Sequence, residues 1–286
     1  RATLSLALSH HPRVMSFDLH SHSTASDGRL SPSALVAHAA AHGVTTLALT
    51  DHDTVAGLAE ARAAATAQGI RLINGIELSV SWRGRTLHIV GLAFDDTHAG
   101  LLAGIDAQQA ERARRAAALV DRVAALGIAD VGSRINAMAG TGQITRAHFA
   151  RLIVAEGRAH RAADAFKRYL APGRPAHVRA EWASLDTVVA WIRAAGGIPV
   201  FAHPFGYGFT GAWRRRALEA FVVAGGRSVE IVTGTTTPQQ EAQIARDARA
   251  FHLTGSRGSD FHGPDQFWLK PGRLRDLPPG IKPISV

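Results

Sequence analysis

Between residues 31 and 94 the sequence alternates helix-forming and strand-forming stretches, and this alternation limits the fold more than any other feature of the chain. Ser31-Pro32 reads as a helix start, with Ser as N-cap and Pro in the first turn, for a helix through 34–42 that stops at Gly43. Residues 44–49 are apolar and β-branched and read as a strand, after an earlier short strand at 13–17. A second helix covers about 55–68 and ends at Gly69, a third strand covers 70–80, and Arg83-Gly84 turns the chain into a fourth strand at 86–94. Strands and helices in this order imply an α/β fold with a largely parallel sheet or barrel. With 286 residues, 46% of them apolar, the chain can bury a large core as one domain, or as one domain carrying an insertion.

The alternation breaks near residue 97. Residues 106–126 form a long Ala/Arg/Leu helix, and helical pattern without a clear strand continues to Leu170. Residues 97–174 are therefore expected to be an inserted, mainly helical cap, with the α/β unit formed by 15–96 and 175–286. After Pro175 the alternation resumes, with helices at 185–195, 213–224 and 238–251 and strands at 198–202, 228–232 and 252–255. Residues 1–14, ahead of Met15, contain LSLAL, too short and too weakly basic in front for a secretory signal; they read as a leader or an appended segment. Every apolar run is broken well short of the roughly 18 residues a membrane span needs. The chain has no cysteine, so thiolate sites and disulfides are excluded and any metal must be held by His, Asp and Glu. These features suit a cytoplasmic protein with no membrane partner, and they set no oligomeric state. The net charge of +9 suits an anionic ligand such as a phosphate or a nucleic acid.

The ionisable residues cluster where strands end. Phe17–Asp27 reads FDLHSHSTASD; positions two apart on a strand share a face, so His20 and His22 aim at one point that Asp27 can reach from the loop. Asp51 and His52 end the second strand, His203 the strand at 198–202, and Asp260 and His262 follow the last one. Glu77 and His88 lie within or near the ends of two others. In an α/β barrel the loops at the strand ends converge on one mouth, so these groups would meet there. Each alone is more economically read as a satisfied core or surface residue; their joint placement points to a metal site built from imidazole and carboxylate. His10, His11, His38, His42, His98, His160, His177 and His252 show no such placement and read as ordinary surface or structural residues.

DLHSHSTASDG, TDHDT, the strand carboxylate Glu77, LHIVG, AHP and SDFH together resemble the motifs of the PHP (polymerase and histidinol phosphatase) family over nearly all of Met15–His262. The resemblance implies a distorted barrel of about seven strands, a (β/α)7 barrel of the PHP type, holding two or three divalent metal ions. Carried over by position, one ion would be held by His20, His22, Glu77 and Asp260. A second would share Glu77 with His88 and His203, and a third would use Asp27, His52 and His262. Mn²⁺ is the first expectation, with Zn²⁺ or Fe²⁺ as alternatives, and the nucleophile is expected to be a metal-bound water rather than a side chain. ITRAHFARLIVAEG, AFKRYLAPGRPAHV and AGGIPVFAHP resemble the nucleotide-acting subgroup of that family. Members of this subgroup remove the 3′-phosphate of nucleoside 3′,5′-bisphosphates, and some trim short RNA from its 5′ end.

Substrate contacts are expected from Arg146 and His148, at a helix start capped by Thr145, and from Arg179, which stands with Ala180 where the subgroup has Pro-Lys. Lys167 and Arg168 are weaker candidates, more economically read as a solvated helix face. Two rival readings are a histidinol-phosphate or other small-molecule phosphatase of the same fold, and a non-catalytic metal-stabilised accessory domain.

Overall fold

The computed structural model describes residues 16–286, so the expectations for residues 1–14, and for most of the strand at 13–17, lie outside the described residues. The strands are β1 (Phe17–Asp18), β2 (Thr46–Leu49), β3 (Arg71–Trp82), β4 (Arg85–Leu92), β5 (Ile198–Phe201), β6 (Ser228–Thr233) and β7 (Thr254–Gly258). They are hydrogen-bonded neighbours in sequence order. Leu19 N–H donates to Arg257 O at 3.1 Å and Ser21 bridges Phe261, bringing the first strand against the last and nearly closing a barrel. All neighbours are parallel except β4, which runs antiparallel to both β3 and β5. The reversal follows from Arg83-Gly84: both residues are left-handed, at φ +47° and +74°, the conformation that matches a two-residue hairpin to strand twist.

The helices among the described residues are α1 (Pro32–Ala41), α2 (Leu58–Gln68), α3 (Ala99–Ala124), α4 (Val131–Ala139), α5 (Arg146–Ala155), α6 (Ala162–Ala165), a π-helical turn at Phe166–Leu170, α7 (Leu185–Ala194), α8 (Gly211–Val223) and α9 (Pro238–Ala250). None is long and apolar enough to cross a membrane. The period-2 alternation of β3 decides what the barrel encloses. Ile76, Leu78 and Val80 point outward and join Leu35, Leu58, Val188, Leu218 and Ile244 in the core beneath the helices. Ile73, Val90, Leu92 and Val200 fill the opposite, inner end of the barrel. Glu77, on the same face of β3 as Ile73 and four residues further along, and Glu230 of β6 are buried above this apolar plug. The inner face is thus apolar at one end and ionisable at the other.

Helix α3 serves two cores. Leu101 and Ile105 pack with the barrel's outer core, whereas Leu119 and Val123 pack with Ile135, Phe149, Ile153 and Leu170 in a second cluster. The helix begins seven residues before the expected start because His98 caps it, its side chain accepting Leu101 N–H at 3.2 Å, despite Gly100 and Gly104 in the first turns. The last strand is displaced too, lying at Thr254–Gly258 rather than at 252–255. His252, at φ +55°, ends α9, and Leu253 N–H returns to Ala248 O at 2.9 Å, so the strand starts later.

The second cluster is seated on the loop after β1. Gln143 N–H donates to Ala25 O at 2.9 Å, Thr145 Oγ1–H to Asp27 Oδ2 at 2.7 Å, and Arg151 to Asp27 O at 2.8 Å. Gly142 makes this approach feasible, since a Cβ there would lie 2.0 Å from Thr24 O. Gly142→Val is expected to destabilise the protein by about 1–3 kcal/mol in denaturant unfolding; a wild-type midpoint would contradict the seating.

Candidate metal centre and its basic cavity

All nine candidate ligands converge at the ionisable end of the barrel. Glu77 is at the centre, 1% exposed, with five imidazoles around its two oxygens. Oε1 faces His203 Nε2 at 2.8 Å and His88 Nδ1 at 2.9 Å. Oε2 faces His52 Nδ1 at 3.0 Å, His22 Nε2 at 3.3 Å and His20 Nε2 at 3.4 Å. Asp260 Oδ1 lies 3.2 Å from His22 Nε2 and 3.5 Å from His20 Nε2. Asp27 is approached by His262 Nε2 at 3.3 Å and His52 Nε2 at 3.8 Å. His203 and Asp260 hold left-handed backbone, at φ +26° and +58°. Such conformations cost of order 1–3 kcal/mol and persist where the surroundings fix them, frequently at functional sites.

These residues fit divalent cations. His20 Nε2 and His22 Nε2 are 3.1 Å apart, and His88 Nδ1 and His203 Nε2 3.4 Å, so ring nitrogens face one another rather than matched donors and acceptors. His22 Nδ1 is buried without a hydrogen-bond partner among the described residues, and His52 Nδ1, although 3.0 Å from Glu77 Oε2, is not aligned for a hydrogen bond to it. Groups of ligand atoms lying within 4.8 Å of one another form around His20/His22/Glu77, His52/Glu77/His88 and His22/Asp27/His52/His262. The electrostatics pull neighbouring rings apart. Burial pushes the His52 imidazole down to about 3 against the pull of Glu77 and Asp27. In His262 burial is overcome by Asp27 and Asp260, and its pKa is pushed up to about 10. His20 is held well above the usual range because Glu230, Glu77 and Asp260 outweigh its desolvation. A donor set of imidazole and carboxylate lone pairs, converging in a buried space, suits ions such as Mn²⁺, Zn²⁺ or Fe²⁺.

Three supporting carboxylates hold the ligands and the first loop in place, and of these Glu230 carried no readable signal in the sequence. Glu230 Oε1 accepts from His20 Nδ1–H at 2.7 Å, leaving Nε2 free to face the centre, and Oε2 accepts His203 N–H at 2.6 Å. Asp51, expected among the strand-end cluster, instead holds the first loop, accepting Ser23 N–H at 2.8 Å and the Ser23 and Ser26 hydroxyls at 2.6 and 2.5 Å. Asp53 accepts Ser79 N–H at 2.8 Å and pairs with Arg112 of α3, whose charge holds the Asp53 carboxyl below its usual range despite burial.

A cavity of about 220 Å³ opens on the Asp27, His52, His88 and His262 side of the centre, and Arg112, Arg115, Arg146 and Trp182 line it as well. Arg112 and Arg115 are each 7% exposed, rare for a cation unless paired. Arg115 has no carboxylate within ion-pair distance among the described residues and gives its Nε–H to Val178 O at 3.1 Å. Burial and the charges of Arg146 and Arg112 press its pKa down to about 9. Arg146 stands over the Phe166 ring at 5.4 Å and has no ion-pair partner among the described residues. Trp182, beneath the guanidinium groups of Arg112 and Arg115 at 5.1 and 5.7 Å, keeps a buried Nε1–H without a partner among the described residues. Gln108, Arg112 and Arg115 form a buried polar stripe at helical spacing on α3, hidden in the sequence because the exposed Arg114 and Arg122 stand on the same helix.

The other expected contacts are placed differently. His148 closes the capping box of α5, its Nδ1 accepting Thr145 N–H at 3.0 Å, and does not line the cavity. Arg179 is exposed and borders an outer cleft of about 580 Å³, whose wall also includes Arg146 and Arg115. Lys167 and Arg168 are exposed and line neither space.

The model of the PHP domain matches residues 18–173 of this chain. The chain is 46% identical over 268 residues to a 5′-3′ exoribonuclease of Haemophilus influenzae, covering 94% of this chain and 97% of the relative. It is 41% identical over 274 residues to a 3′,5′-nucleoside bisphosphate phosphatase of Chromobacterium violaceum, covering 95% of each. Among solved structures, a protein of Bifidobacterium adolescentis described as a metal-dependent phosphoesterase superposes with a TM-score of 0.79 at 25% identity, over 96% of this chain and 94% of that one.

Glu230→Gln is expected to loosen His20 and lower metal affinity about 10–100-fold while the far-ultraviolet circular dichroism is unchanged. Titration with Mn²⁺ followed by calorimetry measures this; wild-type affinity would contradict the orienting role.

Proposed function

The chain belongs to the PHP family and is a metal-dependent phosphoric ester hydrolase, and within that class we propose that it removes the 3′-phosphate of nucleoside 3′,5′-bisphosphates to leave the 5′-nucleotide. The names of the two relatives, a 5′-3′ exoribonuclease and a 3′,5′-nucleoside bisphosphate phosphatase, support this reading and extend it to trimming of RNA from its 5′ end. The observation that carries it is the shared cavity, with candidate metal ligands on one wall and Arg115 and Arg146, cations lacking a carboxylate partner, on another.

Three sets of residues would hold the ions: His20, His22, Glu77 and Asp260; Glu77, His88 and His203; and Asp27, His52 and His262. When bound, two or three divalent ions, Mn²⁺ foremost and Zn²⁺ or Fe²⁺ as the other candidates, supply the Lewis acidity that activates water and neutralises phosphoryl oxygens.

The protein's own groups account for the choice of substrate. Arg115 and Arg146 bind the phosphate remote from the reacting one, and Trp182 Nε1–H is a further donor on the same wall. Arg112 is held in place by Asp53, two residues after the first loop's anchor Asp51, which ties the basic wall to the strand ends. Arg179 meets the substrate at the outer rim. The segment 97–174 acts as a cap that carries the remote-phosphate site and shields the reacting ester from water, through the seat of Thr145 on Asp27. Binding energy from the remote phosphate then positions the 3′ ester.

Adenosine 3′,5′-bisphosphate is therefore expected to be converted to 5′-AMP much faster than 3′-AMP is converted to adenosine, in steady-state phosphate-release assays with Mn²⁺. Arg146→Ala is expected to remove most of that preference, a loss of about 1.5–3 kcal/mol for a charged hydrogen bond. Equal wild-type rates on the two substrates would refute the two-phosphate reading.

A further inference from the structure

A second cleft, about 320 Å³, opens on the same centre but shares no lining residue with the basic cavity. It meets the centre at His203 and Asp260, the two candidate ligands with left-handed backbone. Its character is different: no lysine or arginine lines it, and Phe205, Thr235 and Gln240 form its outer wall. Gln240 Oε1 is occupied by Thr237 N–H at 2.9 Å, while its Nε2 donors have no protein partner among the described residues. Phe205 is fixed by the Arg214 guanidinium, 4.7 Å from its ring, and Arg214 is itself locked to Asp247 at 2.9 Å. The cleft is thus a polar space without a cationic arginine or lysine and with an aromatic edge, suited to a sugar and a base rather than to another phosphate.

The chemistry requires such a space if the substrate is RNA. Releasing a 5′-nucleotide from a 5′ end means that water attacks the first bridging phosphorus and the P–O3′ bond breaks. The electron pair and a proton end on O3′ of the released nucleotide, and the phosphoryl group stays on O5′ of the next one. In a bisphosphate that phosphoryl group carries nothing further; in RNA it carries a second nucleoside. The basic cavity is about 220 Å³ and continues past Arg115 and Arg146, the side of the remote phosphate, into the outer cleft; the second cleft instead adjoins the centre directly, at His203 and Asp260.

We propose that the cleft bounded by Phe205, Thr235 and Gln240 receives the nucleoside on the 3′ side of the scissile phosphate. It is the structural feature that lets one centre accept both a bisphosphate and an oligonucleotide. The assignment rests on the reading that the 3′ ester reacts at the centre. It also explains repetition: each cut leaves a new 5′-phosphate on the remaining strand, the group that Arg115 and Arg146 are placed to bind.

The test compares adenosine 3′,5′-bisphosphate with the 5′-phosphorylated dinucleotide pApA, both with Mn²⁺, in wild type, Gln240→Ala and Thr235→Tyr. Thr235 is exposed at the rim, so a tyrosine there obstructs the cleft without entering a core. The expected result is a fall of about tenfold or more in kcat/KM for pApA, carried by KM, with the bisphosphate within about twofold of wild type. Unchanged pApA kinetics in Thr235→Tyr, or an equal fall on both substrates, would overturn the proposal. A wild type that cleaves pApA but ignores the bisphosphate would refute the bisphosphate reading alone, and the pApA comparison would still decide the cleft.

Discussion

Glu77 sets the terms for the rest of the molecule. A carboxylate that is 1% exposed, with five ring nitrogens between 2.8 and 3.4 Å from its oxygens, cannot be accommodated by hydrophobic burial. Desolvating one carboxylate costs several kcal/mol, and this one shares its space with two further carboxylates and a ring of imidazoles. Its Oε1 faces two histidines and its Oε2 three others, an arrangement that would let one side chain be shared between ions. The neighbourhood is built to keep it so: Glu230 fixes His20, Asp51 fixes the loop carrying His22 and Asp27, and the backbone of His203 and Asp260 is held in a strained conformation.

The barrel makes this arrangement possible by dividing its interior. Ile73, Val90, Leu92 and Val200 close one end with an apolar plug, so the ionisable groups are confined to the other and backed by a rigid floor. The antiparallel strand β4 contributes His88 from its first half, since its end points toward the plug; β3 contributes Glu77 from its middle, and the other candidate ligands follow the ends of β1, β2, β5 and β7. Helix α3 then links the two cores. Its first turns belong to the barrel and its last to the second cluster, and between them Arg112 reaches Asp53 and Arg115 faces the cavity. The basic wall of the cavity is thereby attached to the same strand ends that carry the candidate metal ligands.

Most of the candidate ligands were legible because they stand in short polar motifs at the ends of apolar runs; Glu77 and His88, inside apolar strands, stood out only because six motifs occur in family order. Glu230 was not, since VEIV in a buried strand reads as a packing segment and nothing local shows that its carboxylate meets His20 across 210 positions. Arg112 and Arg115 were concealed by composition: in an Ala/Arg-rich helix, burial is decided by what packs on each face, which local sequence does not encode. Strand β7 was misplaced because TGSRG has little intrinsic strand preference; Gly258 is needed there, a Cβ being 2.3 Å from that of His20. His148 was assigned to substrate by its place in a motif, while its ring in fact completes the cap of α5.

The most direct test of the bridging role of Glu77 is the metal content of manganese-loaded protein together with its electron paramagnetic resonance spectrum, for wild type and Glu77→Gln. Roughly two or more Mn²⁺ per wild-type chain are expected, with the spectrum of an exchange-coupled pair, and loss of both the coupling and at least one ion in the variant. Wild-type stoichiometry and an unchanged spectrum in Glu77→Gln would contradict the bridging role.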